Sequence, residues 1–308
     1  MRIGFIGLGN MGGHMAMNVI AGGHDVVVHD IRREAAERHL AAGARWAATP
    51  RGASEDREIV FTSLPGPAEV EQVALGEGGV LAGASPGTIY VDLSTNSPTL
   101  MRRIHEEFAG EDVAVLDAPV SGGSKGAELA TLAVMVGGPE DAYERAKPVL
   151  DLIGDKVSYI GPSGAGAIAK LVHNLITISA RVIVGEALTL GVKAGVDPEA
   201  LLEAVQNGSF GQGNLIHRTV PNIVYQGAYD NVGFALDLSL KDLRLALELA
   251  GEFDVPIALG AVAEAEVAEA VDAGLGPLDS SASIILQERR SGVELRAADA
   301  IRSWQDDG

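Results

Sequence analysis

A chain of 308 residues with a net charge of −19 at pH 7 has little to offer nucleic acid or an anionic membrane, since both need clustered Lys and Arg. It contains no cysteine, which excludes disulfides, thiolate catalysis and Cys-ligated zinc, and its 47% apolar content suits a compact globular protein. The length predicts two domains, each able to bury a core of its own.

The chain opens with Arg2-Ile3-Gly4-Phe5-Ile6, a short apolar run expected to form a strand buried on both faces. It runs into Gly7-Leu8-Gly9-Asn10-Met11-Gly12, a G-x-G-x-x-G turn, followed by a helical stretch over residues 13–20. A second strand over residues 25–30 finishes on the carboxylate of Asp30. Each glycine has a physical job: Gly7 allows the tight turn, Gly9 lets backbone approach a pyrophosphate, and Gly12 lets helix and strand pack closely. The helix N-terminus offers free N–H groups and partial positive charge to phosphates. Asp30, about twenty residues past the turn, is placed to accept hydrogen bonds from an adenosine ribose diol. The glycine turn alone is a weak signal, but strand, turn, helix and acid-terminated strand in series point to dinucleotide binding.

A helix is expected from Ile31-Arg32-Arg33-Glu34 to about Gly43. Further strands are expected over residues 58–63, 88–92, 113–117, 132–136 and 156–160, with helices after Pro98 and over residues 140–150. This alternation predicts a doubly wound, mostly parallel sheet with its ligands beyond the carboxyl ends of the strands. Gly7, Asp30, Leu64-Pro65, Thr95 and Ser121 all fall at such ends.

Past Gly161 the pattern becomes helical, with no convincing strand, so domains are expected over residues 1–163 and 164–308. Gly164-Ala165-Gly166 begins a helix of about thirty residues that is apolar nearly all round and is expected to be buried. Asp197-Pro198 signals the next helix, and others are expected over residues 214–225, 239–252, 258–273 and 281–290. The longest apolar stretch, residues 175–190, is interrupted by Arg181 and Glu186 and reads as too short to span a bilayer. Met1-Arg2 before a brief apolar run only faintly mimics a leader. A cytoplasmic protein is expected.

Three stretches carry candidate chemistry. Asp117-Ala-Pro-Val-Ser121-Gly122-Gly123 follows a strand, and its backbone N–H groups with the Ser121 hydroxyl could hold a carboxylate. The plain alternative is an ordinary strand-to-helix turn. Lys170 and Asn174, four apart, share one face of the long apolar helix. A partly desolvated lysine has a lowered pKa and can act as a general base; otherwise it is a snorkelling lysine at the domain seam. His173 between them reads as a packed core histidine, and Lys241-Asp242-Leu243, downstream of Phe234, reads alone as a solvated charge pair. The histidines show no spacing that suggests metal ligands.

In their order these motifs resemble the β-hydroxyacid dehydrogenase family, which includes 3-hydroxyisobutyrate dehydrogenases and tartronate semialdehyde reductases. The resemblance covers essentially the whole chain. It implies a Rossmann domain joined to an all-α domain, in homodimers or homotetramers acting on a small-molecule hydroxy acid. It further implies Lys170 as the acid–base or hydroxyl-polarising residue and Asn174 as a substrate-positioning amide. Ser121, Gly122 and Gly123 would be the carboxylate grip, Lys241 the lysine beside the nicotinamide with Phe234 near it, and Leu64, Pro65 and Thr95 cofactor contacts. The 6-phosphogluconate dehydrogenases share the motifs but are longer, and imine reductases usually replace the lysine. Expected is reversible oxidation of a β-hydroxy acid to its semialdehyde or keto acid. The alternatives are an NADPH-linked reductase of glyoxylate, tartronate semialdehyde or succinic semialdehyde, and a dinucleotide-binding sensor without turnover.

The coenzyme signal is mixed. Asp30 favours NAD by pairing with the 2′-hydroxyl and repelling a 2′-phosphate. Arg32 and Arg33 could pair with that phosphate or simply form a solvated first turn. Family members linked to NADP typically carry Asn-Arg where this chain has Asp30-Ile31, so NAD is expected over NADP.

Overall fold

The computed structural model describes residues 1–297; the last eleven residues of the expected helical domain lie outside this range. It divides into two compact units, the first spanning Met1–Ile176 and the second beginning at Thr177. The expected boundary at residue 163 lies just past the last strand, whereas the first unit also includes the opening turns of the long helix.

Nine strands make one sheet: β1 Arg2–Ile6, β2 Asp25–His29, β3 Arg45–Trp46, β4 Ile59–Thr62, β5 Ile89–Asp92, β6 Ala114–Asp117, β7 Val120–Ser121, β8 Ala133–Gly137 and β9 Lys156–Gly161. Their order is β3-β2-β1-β4-β5-β6-β8-β7, with β9 also pairing β8. The first six strands are parallel, in the doubly wound order with its switch point beside β1. Only β8 runs antiparallel to its neighbours β6 and β7. Two strands of two residues each, β3 and β7, are too short to leave a periodic signature in the sequence.

Helices cover both faces, which is why the central strands are buried along nearly their whole length and apolar but for a polar residue at an end. In the first unit they are α1 Gly12–Ala21, α2 Glu37–Ala41, α3 Pro50–Ser54, α4 Pro67–Leu75, α5 Pro98–Ala109, α6 Gly123–Leu129 and α7 Glu140–Leu150. One face centres on Phe5 stacked on Phe61, ring centroids 5.7 Å apart, with Met15 and Val19 of α1 above them. The other centres on Tyr90 against Phe108 of α5 at 5.1 Å. Ser97 caps α5 by accepting the Leu100 N–H, with Pro98 at the first helical position.

Helix α8, Ala165–Lys193, begins in the first unit and continues into the second. Its 29 residues agree with the expected length, but the expectation that it is buried is wrong. Leu171, Val172, Leu175, Ile176 and Ile178 are all exposed, Leu175 to 70%. An all-apolar helix signals that some cover exists, not that its own chain supplies it. The helix is also long and apolar enough by composition to cross a membrane, contrary to the reading of residues 175–190 alone. Its first turns, however, are hydrogen-bonded to the sheet of the first unit, as described below.

The second unit contains the rest of α8, then α9 Pro198–Asn207, a wide-turned helical segment Leu215–Val224, α10 Leu236–Glu252, α11 Ala258–Ala270 and α12 Ile284–Ser291. Its core gathers Val224, Tyr229, Leu236, Ala270 and Leu286. The Glu186 carboxylate of α8 caps α11 by accepting the N–H groups of Leu259 and Gly260 at 3.1 and 3.2 Å.

Candidate active site

The turn between β1 and α1 is built as the spacing predicts. Gly7 has φ = +92°, and a side chain there would collide with the Ser63 carbonyl; one on Gly12 would collide with the Gly7 carbonyl. At Gly9, by contrast, nothing lies within 4 Å of the place a Cβ would occupy. Helix α1 starts without a side-chain cap and without an acidic residue in its first turn. Open space beside a helix N-terminus whose N–H groups lack a side-chain acceptor fits a diphosphate.

Asp30 follows β2 and is 9% exposed. Its Oδ2 accepts the Leu8 N–H and its Oδ1 the Arg32 N–H, each at 2.8 Å. These bonds orient the carboxylate beside the glycine turn and leave it further acceptor sites for a ribose diol. Arg32 Nε is 3.9 Å from Asp30 Oδ1 on a side chain 70% exposed, and Arg33 lies over the Trp46 ring at 5.7 Å. Ile31, between Asp30 and Arg32, is 94% exposed.

The next two loops are held by a buried network that sequence reasoning missed. Asp92 ends β5 fully buried; its Oδ1 accepts from the Thr62 hydroxyl at 2.9 Å and the Ser94 N–H at 3.2 Å. Its Oδ2 accepts from the Asn96 amide at 3.0 Å, and Ser94 Oγ accepts the Leu64 N–H at 2.9 Å. Burial pushes the Asp92 carboxyl up from the usual range, and these hydrogen bonds oppose the rise. One carboxylate thus ties the loop of Leu64 and Pro65 to the loop of Thr95. The available signal was a polar residue closing each of two otherwise apolar strands.

Beyond β6 the chain takes two turns that glycine makes cheaply, φ = +139° at Gly122 and +67° at Gly123, where Ser121 of β7 gives way to the start of α6. Ser121 Oγ lies 3.0 Å from His173 Nε2 of α8. His173 is therefore half-buried and hydrogen-bonded to the proposed carboxylate grip, which corrects its reading as a packed core histidine. Lys170, one turn earlier, is 8% exposed while apolar neighbours on its helix face solvent. Burial pushes its ammonium pKa down, and no carboxylate forms an ion pair with it among the described residues. Asn174 is half-buried on the same face. Asp117, at the end of β6, accepts the Gly164 and Ala167 N–H groups at 2.8 and 2.7 Å, so it caps α8. Burial raises its pKa, with these backbone bonds opposing.

The structure thus brings Ser121, Gly122, Gly123, Lys170, His173 and Asn174 together at the carboxyl edge of the sheet that also carries Gly7 to Gly12, Asp30, Leu64, Pro65 and Thr95. Phe234 and Lys241 belong to the second unit. Phe234 precedes α10, where its N–H reaches Asp279 Oδ2 at 3.4 Å, and Lys241 on α10 pairs with Asp242 at 3.0 Å with both side chains solvated.

A doubly wound sheet, a dinucleotide turn and a buried lysine beside a Ser-Gly-Gly loop define a nicotinamide-linked oxidoreductase. Comparison with known proteins narrows this. Residues 2–161 match the family described as the NAD binding domain of 6-phosphogluconate dehydrogenase. Residues 164–286 match the one described as NAD-binding of NADP-dependent 3-hydroxyisobutyrate dehydrogenase. The chain is 38% identical to the 2-(hydroxymethyl)glutarate dehydrogenase of Eubacterium barkeri, covering 96% of this chain and 97% of that one. It is 38% identical to the 3-hydroxyisobutyrate dehydrogenase of Pseudomonas aeruginosa, covering 85% and 89% respectively. The solved 3-hydroxyisobutyrate dehydrogenase of Mycobacterium tuberculosis, studied with L-serine, is 33% identical with a TM-score of 0.65 over 93% of this chain and 98% of that one. The chain belongs to the β-hydroxyacid dehydrogenase family and is an NAD(P)-linked hydroxyacid oxidoreductase.

Proposed function

We propose that the protein oxidises a small β-hydroxy acid of the 3-hydroxyisobutyrate type with NAD, giving the semialdehyde or keto acid. The observation that carries this reading is the buried Lys170, lowered in pKa, one helical turn before the His173 that meets Ser121. Ser121 and the backbone at Gly122 and Gly123 hold the substrate carboxylate. Lys170, as the free amine, accepts the hydroxyl proton, and Asn174 orients the hydroxyl carbon. When bound, the coenzyme supplies the hydride acceptor at nicotinamide C4. In reduction Lys170, as the ammonium, returns the proton to the carbonyl oxygen. Leu64, Pro65 and Thr95 contact the coenzyme.

Asp30 supports NAD as coenzyme, because its carboxylate is fixed by Leu8 and Arg32 at the end of β2. A second reading, an NADPH-linked reductase of a semialdehyde, is favoured by one observation: the Arg32 side chain is largely free of the fold and beside Asp30. Coenzyme reduction with NAD and NADP over 3-hydroxyisobutyrate, 2-(hydroxymethyl)glutarate, L-serine and the reverse-direction aldehydes tests both. Turnover of none of these acids or aldehydes with either coenzyme would overturn the assignment.

We further propose that the protein works in the cytoplasm as a homodimer or homotetramer, with a second copy covering the apolar face of α8. An exposed apolar run of this length on a lone chain marks an interaction surface. Light scattering on the purified chain tests this, and a monomer at micromolar concentration would contradict it.

A further inference from the structure

Helix α8 begins without side-chain bulk against the sheet. A Cβ on Gly166 would collide with the carbonyls of Asp117 and Met135. A Cβ on Gly137 of β8 would come within 2.6 Å of the Gly166 nitrogen, 2.8 Å of Asp117 Oδ1 and 2.9 Å of the Ala165 nitrogen. These two glycines bring strand backbone and helix backbone into direct contact, and Asp117 occupies the space between them. Its two oxygens accept the Gly164 and Ala167 N–H groups, which otherwise have no partner in a helix's first turn. Charge-assisted bonds of this kind are short and directional, and the carboxylate also complements the helix dipole.

The spacing along α8 gives this socket a functional reading. Lys170 stands three residues after Ala167 and three before His173, so both anchors flank it on one face. Ala167 is bonded to Asp117 and His173 to Ser121, and Asp117 and Ser121 are four residues apart on a single strand-to-turn segment. A segment pinned to the helix on both sides of Lys170 fixes that helical turn in rotation and in height, at a rise of about 1.5 Å per residue.

We propose that Asp117, seated between Gly137 and Gly166, is a positioning residue that sets the Lys170 amine against the hydroxyl of a substrate whose carboxylate Ser121 holds. This rests on the reading of Lys170 as the acid–base group. Asp117→Asn keeps the shape but turns one of the two acceptors into a donor facing a donor. Gly137→Ala keeps the carboxylate and wedges it away from the helix. A displacement of about 1 Å at a reacting group can cost ~100-fold in rate, so both variants should lose about tenfold or more in kcat per folded molecule. NADH affinity, read by coenzyme fluorescence, and substrate KM should stay within about twofold, because both Asp117 oxygens are spent on the backbone of α8.

The test is steady-state kinetics and NADH titration on the full-length chain, with folded protein counted by thermal unfolding and Lys170→Ala run alongside. Should Lys170→Ala stay active, the reading of the lysine fails and the socket's purpose with it. Should Lys170→Ala be inactive while Asp117→Asn and Gly137→Ala keep wild-type kcat per folded molecule, the positioning role alone is overturned. Loss of NADH binding in parallel with kcat would equally overturn it, showing a merely structural role. If Asp117→Asn fails to fold, Gly137→Ala decides by the same criteria.

Discussion

Ser121 Oγ and His173 Nε2, separated by 52 residues in the chain, meet at 3.0 Å. This contact decides how the serine can serve a substrate. When His173 carries its proton on Nε2, it donates to the serine oxygen and leaves the Ser121 O–H free to donate to a carboxylate. With the proton on Nδ1, the serine hydroxyl is spent on Nε2 instead. A carboxylate bound at Ser121, as proposed, would therefore select the Nε2–H form of His173.

Ser121→Ala should raise KM for the hydroxy acid with a smaller change in kcat, since the proposed role of the serine is to hold the carboxylate in ground and transition states alike. A lost hydrogen bond to a charged group costs roughly 1.5–3 kcal/mol, or about 10- to 150-fold in KM. His173→Phe, which leaves Ser121 without its partner, should move KM in the same direction by less. A fall in kcat at constant KM would place Ser121 in the chemical step.

Lys170→Ala should abolish turnover while the fold and coenzyme binding persist, by at least the ~10²–10⁴-fold that general acid–base groups contribute. A variant with more than about a tenth of wild-type kcat would contradict the assignment. The pH profile follows from the sign of the shift. Burial lowers the ammonium pKa, so the amine needed for oxidation forms below the ~10.4 of an unperturbed lysine. Oxidation should therefore rise with pH and level off before that value. The reductive direction, which needs the ammonium, should fall over the same range.

Gly12→Ala should weaken coenzyme binding and stability together. Its methyl group would strike the Gly7 carbonyl and come within 2.9 Å of Ser63 Cβ. Neither backbone can retreat without opening the turn, so overpacking of about 1–3 kcal/mol is expected. Thermal unfolding and NADH titration would read the two losses. An unchanged Tm with wild-type affinity would mean that the turn tolerates bulk there.

What was legible in the sequence was local. The glycine turn, the acid after β2 and the shared helix face of Lys170 and Asn174 are each readable within a few residues, and the alternation of short apolar runs gives away the sheet type. What was hidden depends on contacts between distant segments. Asp117 reads only as the first letter of a motif, and nothing nearby shows that it caps a helix starting 48 residues later. His173, on an apolar helix, looks like core until its partner is known. The exposure of Leu175 was hidden for another reason: a helix apolar on every side has one signature whatever covers it.

Coenzyme choice turns on Asp30. Its carboxylate is held by the N–H groups of Leu8 and Arg32 at 2.8 Å each, which fixes its orientation beside the glycine turn. A 2′-phosphate would bring about two negative charges against a fixed one at hydrogen-bonding range. Of the two cations nearby, Arg33 is engaged over Trp46. Arg32, near Asp30 Oδ1, is the one placed to compensate. Ile31 offers no charge at all. NAD should therefore exceed NADP by at least tenfold in kcat/KM, about 1.4 kcal/mol. Asp30→Asn should narrow the gap by removing the repulsion while keeping an acceptor for one of the two backbone N–H groups. Adding Arg32→Ala to that variant should widen it again, because the remaining partner for a phosphate is lost. Equal or better wild-type activity with NADP would reverse the assignment and make Arg32 the phosphate clamp.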